Sequence, residues 1–121
     1  MKFPRRARIN AKADFRRVFS GPGVSRDRYF KVLYRRNERD YSRLGMAVSR
    51  RNCKRATGRN RIKRLVRESF RLHQDQLAAT GGFDLVVLPT DLAASICTRS
   101  LRESLEEHWK SVSGRPGATS D

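Results

Sequence analysis

Residues 59–71 carry the clearest helical pattern of hydrophobic and polar positions in the chain. At about 100° per residue, the apolar or small side chains fall on one face, namely Ile62, Leu65, Val66, Ser69 and Phe70. The opposite face carries Asn60, Arg61, Lys63, Arg64, Arg67 and Arg71. The pattern therefore predicts an amphipathic helix with a cationic outer surface, which is either a solvated face or a site for a polyanion.

A shorter helix is predicted near the N-terminus. Asn10 is a candidate N-cap, and the helix runs to about Phe19, with Phe15, Val18 and Phe19 on one face. Core packing would explain these aromatic rings, and so would an exposed ring on which a base stacks. The pattern alone leaves both interpretations open.

The stretch 29–35 alternates as a β-strand does. Its apolar face consists of Phe30, Val32 and Tyr34 and is the predicted core face. Its other face consists of Tyr29, Lys31, Leu33 and Arg35. It mixes cations with an aromatic ring, a combination suited to single-stranded nucleic acid. A second strand is predicted at 44–49, and we expect the two to pair as an antiparallel hairpin.

The C-terminal half predicts a helix, a strand and a helix. Thr57 is a candidate N-cap for the basic helix, which is expected to run to about Leu77. The Leu- and Val-rich run 83–89 predicts a buried strand, and a strand–helix–strand order implies parallel pairing with an earlier strand. The last helix, 98–112, has a predicted buried stripe of Leu101, Leu105, Trp109 and Val112.

The positive charge is confined to one part of the chain. The 121 residues have a formal net charge of +16. Residues 1–71 hold 24 Lys/Arg against 5 Asp/Glu, a balance of +19, whereas residues 72–121 hold 4 against 7, a balance of −3. Such a distribution favours a surface that meets phosphate, which Arg binds bidentately. We expect parts of residues 1–9 and 50–58 to become ordered only on binding.

Catalytic chemistry is not predicted in the chain itself. His73 and His108 have no carboxylate or thiol at useful spacing and are interpreted as structural. Neither a metal site nor a phosphate-binding glycine loop is predicted. Cys53 and Cys97 are expected to be reduced thiols. Without a membrane span or a secretory signal, the expected location is the cytoplasm.

The run Arg59-Asn60-Arg61-Ile62-Lys63-Arg64, followed by Arg67, resembles the signature helix of the bacterial ribonuclease P protein component. Other landmarks of that family follow in order. They are Asp14-Phe15 to Phe19, Leu44 to Arg51, Phe83 to Val87 and Leu101 to Trp109. The resemblance covers residues 3–112, so we expect a single RNA-binding domain at 1–112 and a disordered tail at 113–121.

The resemblance implies an α/β fold, an α+β sandwich with element order αβββαβα, a mixed sheet and a left-handed βαβ crossover, against the usual right-handed rule. It also implies the small subunit of an endonuclease that removes the 5′ leader from precursor tRNA. The RNA subunit of that enzyme performs the Mg²⁺-dependent hydrolysis, and Mg²⁺ is bound mainly by RNA and substrate. The implied partners are the ribonuclease P RNA and precursor tRNA, with no dedicated protein partner.

Two sets of site residues follow from the resemblance taken together with the polar faces of the basic helix and of the stretch 29–35. Contact with the catalytic RNA is assigned to Arg50, Arg51, Arg59, Asn60, Arg61, Lys63, Arg64, Arg67 and Arg71. Contact with the leader is assigned to Phe15, Phe19, Tyr29, Lys31, Leu33 and Tyr34. The alternative function is that of a structural ribosomal or ribosome-assembly protein, which needs no leader cleft. A stand-alone nuclease is a third possibility, weakened by the lack of catalytic residues.

Overall fold

Helices and strands follow one another in a mixed order in this computed structural model, which describes residues 8–9, 12–20, 22–51, 53–79 and 81–114. The helices are α1 (Lys12–Phe19), α2 (Ala56–Leu72), α3 (Gln74–Leu77) and α4 (Thr98–Ser113). The strands are β1 (Gly23–Arg26), β2 (Phe30–Arg36), β3 (Arg43–Met46) and β4 (Phe83–Pro89), and a 3₁₀ turn spans Asp91–Ser95. The predicted α+β fold with a mixed sheet is confirmed.

The four strands lie in the order β1-β2-β4-β3. β2 is antiparallel to β1 and β4, and β3 is parallel to β4, which confirms the predicted parallel pairing across the basic helix. The predicted hairpin between the strands at 29–35 and 44–49 is wrong, because β4 lies between them. The left-handed crossover stays a prediction.

β2 forms its hairpin with β1, a strand that the pattern did not predict. The turn is closed by the carboxylate of Asp27, which accepts hydrogen bonds from the backbone N–H groups of Tyr29 and Phe30, each at 2.9 Å. A side chain that satisfies the amides two and three residues ahead stabilises a tight turn locally. β2 therefore forms its hairpin with the strand that precedes it in the sequence, not with the one that follows it.

The main core lies between one face of the sheet and the helices α2 and α4. Phe30, Val32 and Tyr34 are buried in it, as alternation predicted. The predicted apolar faces of both helices are confirmed, since Ile62, Leu65, Val66, Ser69 and Phe70 of α2 and Leu101, Leu105, Trp109 and Val112 of α4 are buried. Ser69 is the polar member, and its Oγ accepts a hydrogen bond from Trp109 Nε1 at 2.9 Å.

The ends of the basic helix differ from the prediction. α2 begins at Ala56 with Arg55 as its N-cap, so Thr57 lies inside the helix. It ends at Leu72, because His73 leaves the helical conformation with φ −115° and ψ 17°, and the short α3 then carries the chain to Leu77. Asn10, the predicted N-cap of α1, lies outside the described residues, as do residues 115–121 of the predicted tail.

A second, smaller cluster lies on the opposite face of the sheet, under α1. Its buried members are Ile9, Val18, Leu33 and Val86, with Phe15 and Leu88 packed against them. Ile9 is fixed at the sheet edge, where its backbone N–H donates to the carbonyl of Leu44 at 2.9 Å. This cluster, called the α1 cluster below, attaches the first helix to the sheet.

Candidate RNA interface

The outer face of α2 presents polar and cationic side chains that have no partner in the described part of the chain. Asn60, Arg64 and Arg67 are exposed, and Lys63 is half-buried beside them. Arg71, one turn further on, is half-buried and continues the same stripe. Because the buried face of the helix is held by the core, these groups stay fixed on a rigid support. They form a surface suited to the phosphates of a polyanion.

Arg59 and Arg61, predicted to contact RNA with this group, also bind their own chain, and their RNA contacts stay a prediction. Arg59 Nη1 donates to the carbonyls of Cys53 and Lys54, both at 2.9 Å. Arg61 Nη2 donates to the carbonyl of Ile96 at 2.7 Å and lies 3.3 Å from the hydroxyl oxygen of Thr98. In this structure the two side chains therefore organise the loop before α2 and the start of α4.

The basic loop before α2 is anchored by a buried thiol. Cys53 is 5% exposed, and a Cβ added to Gly58 would lie 2.8 Å from its Sγ, so the glycine makes room for it. Arg50 and Arg51 are exposed and have no partner among the described residues. They extend the cationic surface of α2, and their predicted RNA contacts stay a prediction.

The aromatic residues of α1 divide between the two interpretations that the sequence left open. Phe15 is half-buried, and its ring lies over Gly45, where a Cβ would come within 2.9 Å of ring carbons. Phe19 is 48% exposed. Val18, between them, is fully buried in the α1 cluster. Phe15 therefore packs on the sheet with part of its side chain still accessible, whereas Phe19 offers about half of its surface to a partner.

The strand residues predicted to line the leader site do not share one surface. Tyr34 is 1% exposed in the main core, where its ring packs edge-on against Phe83. Leu33 is 4% exposed beneath α1. Tyr29 precedes β2 and packs against the main core, so its predicted common face with Leu33 is wrong. A ring as buried as that of Tyr34 cannot stack on a base, and the Leu33 side chain is almost as inaccessible, so the predicted leader contacts of both residues are wrong.

Lys31 keeps a place beside α1. It is half-buried on the same face of β2 as Leu33 and is paired in register with Arg26 of β1, which is exposed. The surface between α1 and this part of the sheet, where the leader is predicted to bind, is called the leader cleft below, and its predicted members include Phe15, Phe19 and Lys31. Arg26 was not among the predicted site residues, because the pattern of its segment did not locate a strand there.

The leader cleft and the basic helix meet at a pocket of about 180 Å³. The pocket is lined by Arg8, Ile9, Phe15, Leu44, Gly45, Met46, Lys63 and Arg67. It brings together residues from both predicted contact sets, Phe15 from α1 and Lys63 and Arg67 from α2. Met46 and Gly45 were not predicted as lining residues, since nothing in their local pattern distinguishes them from core.

The structure places both imidazoles in structural positions. His73 Nδ1 lies 2.7 Å from the carbonyl oxygen of Ser69, one turn earlier. His108 is 3% exposed, with Nδ1 at 2.7 Å from Ser25 Oγ and Nε2 at 3.3 Å from an Asp27 oxygen. It joins α4 to the β1–β2 hairpin. No group of His, Cys, Asp and Glu side chains suited to a metal ion occurs among the described residues.

The model of the Ribonuclease P family matches residues 3–113 of this sequence. The chain belongs to that family. The ribonuclease P protein component of Methylococcus capsulatus is 43% identical over 118 residues, which cover 98% of this chain and 90% of that protein. The same component of Yersinia enterocolitica is 41% identical over 110 residues, covering 91% of this chain and 90% of that protein.

Solved structures of ribonuclease P proteins have the same fold. The protein from Thermotoga maritima superposes with a TM-score of 0.76 and 36% identity, covering 86% of this chain and 96% of that one. The protein from Staphylococcus aureus gives a TM-score of 0.74 and 33% identity, covering 84% and 90%. The family predicted from the signature helix is confirmed. The function is therefore that of the RNA-binding protein component of an endoribonuclease, and the ribosomal alternative is not favoured.

The described part of the chain has no helix with the length and apolar composition that crossing a bilayer requires.

Proposed function

We propose that the outer face of α2 docks this chain on the RNA of ribonuclease P while the leader cleft holds the 5′ leader of precursor tRNA. The observation that carries the proposal is the pocket at which Phe15 meets Lys63 and Arg67. A single strand leaving the RNA-docking face can enter the cleft there, where Lys63 and Arg67 stand beside the ring of Phe15.

The chemistry of each surface supports its assignment. Lys63, Arg64 and Arg67 are cations on a rigid helix without competing partners in the described chain, which suits phosphate binding. The exposed ring of Phe19 and the cations Lys31 and Arg26 suit an unpaired strand, because stacking and phosphate contacts together hold single-stranded RNA.

Hydrolysis is assigned to the RNA subunit. Both histidines serve the fold, and the buried carboxylate of Asp84 is bound to Arg43. In this proposal Mg²⁺ is held by the RNA and the substrate, which supply the phosphate oxygens that a hard cation prefers. The chain contributes binding and orientation, and its place of action is the cytoplasm.

Reconstitution tests the proposal. We expect the chain, mixed with a bacterial ribonuclease P RNA, to stimulate cleavage of precursor tRNA at low Mg²⁺, and the chain alone to cleave nothing. Phe19→Ala should weaken binding of precursor tRNA but not of mature tRNA, because mature tRNA has no leader to stack. Equal losses for both substrates, or no stimulation of the RNA, would contradict it. Leu92→Ala is a matched control, since Leu92 is another apolar side chain with 48% exposure, in the turn before α4.

A further inference from the structure

α1 is attached to the sheet by little apolar packing. It has eight residues, and Val18 is its one fully buried side chain. A helix this short is not stable in isolation, and the α1 cluster beneath it is small. Its position therefore depends on other contacts, and two arginines of the sheet supply them.

The first arginine, Arg43 of β3, reaches the N-terminal half of α1. Its guanidinium binds both oxygens of Asp84, with Nε at 2.8 Å and Nη2 at 2.6 Å. The same guanidinium lies 3.5 Å from each carboxylate oxygen of Asp14 on α1. Asp84 is further fixed by Asn37 Nδ2, which donates to it at 2.9 Å. The hydrogen bonds to Asp84 raise the pKa of Arg43, so the cation stays charged.

The second arginine, Arg35 of β2, reaches the C-terminal end of the same helix. Its Nη1 donates to the carbonyl of Arg17 at 3.0 Å and lies 3.4 Å from the carbonyl oxygen of Ser20. The last carbonyls of a helix lack intrahelical partners and carry partial negative charge, so a guanidinium there is stabilising.

The two arginines belong to one row across the sheet. Arg35 and Arg43 are both paired in register with Asp84, one from each neighbouring strand. Side chains in one such row point to the same face, here the face that α1 covers. Asp84 is 2% exposed and holds Arg43 in place, and Arg35 stands on its other side.

We propose that the row Arg35–Asp84–Arg43 is a clamp that sets the position of α1 over the sheet and so the width of the leader cleft. Asp14 and Arg35 are then positioning residues for leader recognition, because they act through the helix that carries the rings. The inference rests on the proposed function, because it assumes that the leader lies between α1 and the sheet. Phe15 and Phe19 both belong to the clamped helix, so a shift of the helix moves both rings.

The test uses the holoenzyme reconstituted with ribonuclease P RNA. Asp14→Asn removes the anion on α1 but leaves the Arg43–Asp84 pair intact, and Arg35→Met removes the guanidinium but keeps an apolar stem. Each should lower the ratio of precursor to mature tRNA affinity by about threefold to tenfold, the effect of losing one hydrogen bond of ordinary net strength. Affinity for the RNA subunit should stay unchanged, and hydrogen exchange of α1 amides should accelerate.

Conservative and matched variants separate positioning from general destabilisation. Asp14→Glu and Arg35→Lys keep the charges and should recover part of the ratio. Glu103→Gln and Arg99→Met remove one charge of each sign from an exposed pair on α4 and should change neither the ratio nor α1 exchange.

The outcomes distinguish the clamp from the leader cleft itself. Phe19→Ala tests the cleft directly, and an unchanged ratio in that variant overturns the proposed function and the clamp's role with it. A lowered ratio for Phe19→Ala beside unchanged ratios for Asp14→Asn and Arg35→Met overturns the clamp alone. Faster α1 exchange with an unchanged ratio also overturns it, because the row then only stabilises the fold.

Discussion

The ring of Phe15 lies directly over Gly45, so close that a Cβ on the glycine would come within 2.9 Å of two ring carbons. At this point the first helix packs on the third strand through the Phe15 ring, because Gly45 has no side chain to hold the ring away. Through this contact Phe15, a predicted member of the leader cleft, rests on the sheet.

Gly45→Ala should displace Phe15, because the added methyl group and the ring cannot occupy the same space. We expect a loss of about 1–3 kcal/mol in the free energy of unfolding, typical of overpacking, and weaker precursor tRNA binding with unchanged affinity for the RNA subunit. Denaturant unfolding and a binding titration measure the two effects.

A compensating change serves as the control. Adding Phe15→Leu to Gly45→Ala shortens the opposing side chain and should restore much of the stability without restoring leader binding. If Gly45→Ala unfolds like the parent chain, the ring has room to move and the contact does not fix it.

The cationic residues of α2 should separate into two classes. Arg64→Ala with Arg67→Ala removes outward cations, so we expect the salt dependence of RNA binding to flatten by about 0.7–0.9 in slope for each phosphate that is no longer neutralised, with little change in melting temperature. Arg59→Ala with Arg61→Ala removes hydrogen bonds to the chain's own carbonyls and should cost about 1–3 kcal/mol of stability.

Binding titrations over a salt series and thermal unfolding of both double variants decide the point. If the two double variants have equal salt slopes and equal melting temperatures, then the internal hydrogen bonds of Arg59 and Arg61 do not distinguish their role from that of Arg64 and Arg67. Arg99→Ala, which removes an exposed cation of α4, controls for the loss of a positive charge outside the basic helix.

Local periodicity was sufficient for most of the elements and for the core faces. Ile62 and Phe70 lie inward because a 3.6-residue period is a property of neighbouring positions, and alternation alone put Tyr34 on the core face. The resemblance then drew Tyr34 into the leader site, and the structure shows that alternation was the better guide. Family likeness identified the function, but it did not assign the contacts of individual residues on this strand correctly.

The sequence pattern could not predict which strands pair when they are far apart in the sequence. β4 enters between β2 and β3 from about 40 residues further along the chain, and a local pattern cannot report such a neighbour. The resemblance implies three strands before the basic helix, but the pattern did not place β1, because Gly23–Arg26 has one large apolar residue and hence no alternation to detect. The internal bond from Arg61 to Ile96 is hidden for the same reason, since its partner lies 35 residues away.

Acid should weaken the attachment of the β1–β2 hairpin to α4. Burial opposes ionisation of Asp27, but hydrogen bonds from Ser104 and from the amides of Phe30 and Tyr29, with the charge of His108, lower its pKa overall. The folded state then binds this proton less readily than the unfolded chain, so the stabilisation is complete above the unfolded pKa of about 3.9 and is lost as pH falls through the folded value.

Asp27→Asn should therefore melt at a lower temperature than the parent chain at neutral pH, and the difference should shrink below about pH 4. Melting curves over a pH series measure it. Glu106→Gln, an exposed carboxylate on the outer side of α4, should show no such convergence. A difference that is constant with pH would mean that the Asn variant is destabilised by altered geometry and not by the missing charge.

The two thiols should react at very different rates. Cys97 is exposed at the N-cap of α4, and its pKa is lowered by a hydrogen bond with the Ser100 hydroxyl and by backbone amides, so more thiolate is present at neutral pH. Cys53, in the basic loop, is buried.

Iodoacetamide should modify Cys97 first in the native protein and both residues in denaturant, as read by mass spectrometry. Ser100→Ala should slow the modification of Cys97 without affecting Cys53, because the thiol loses the hydroxyl that stabilises its anion. Equal rates at the two thiols in the native protein would show that the loop around Cys53 opens, and that the buried thiol does not anchor it.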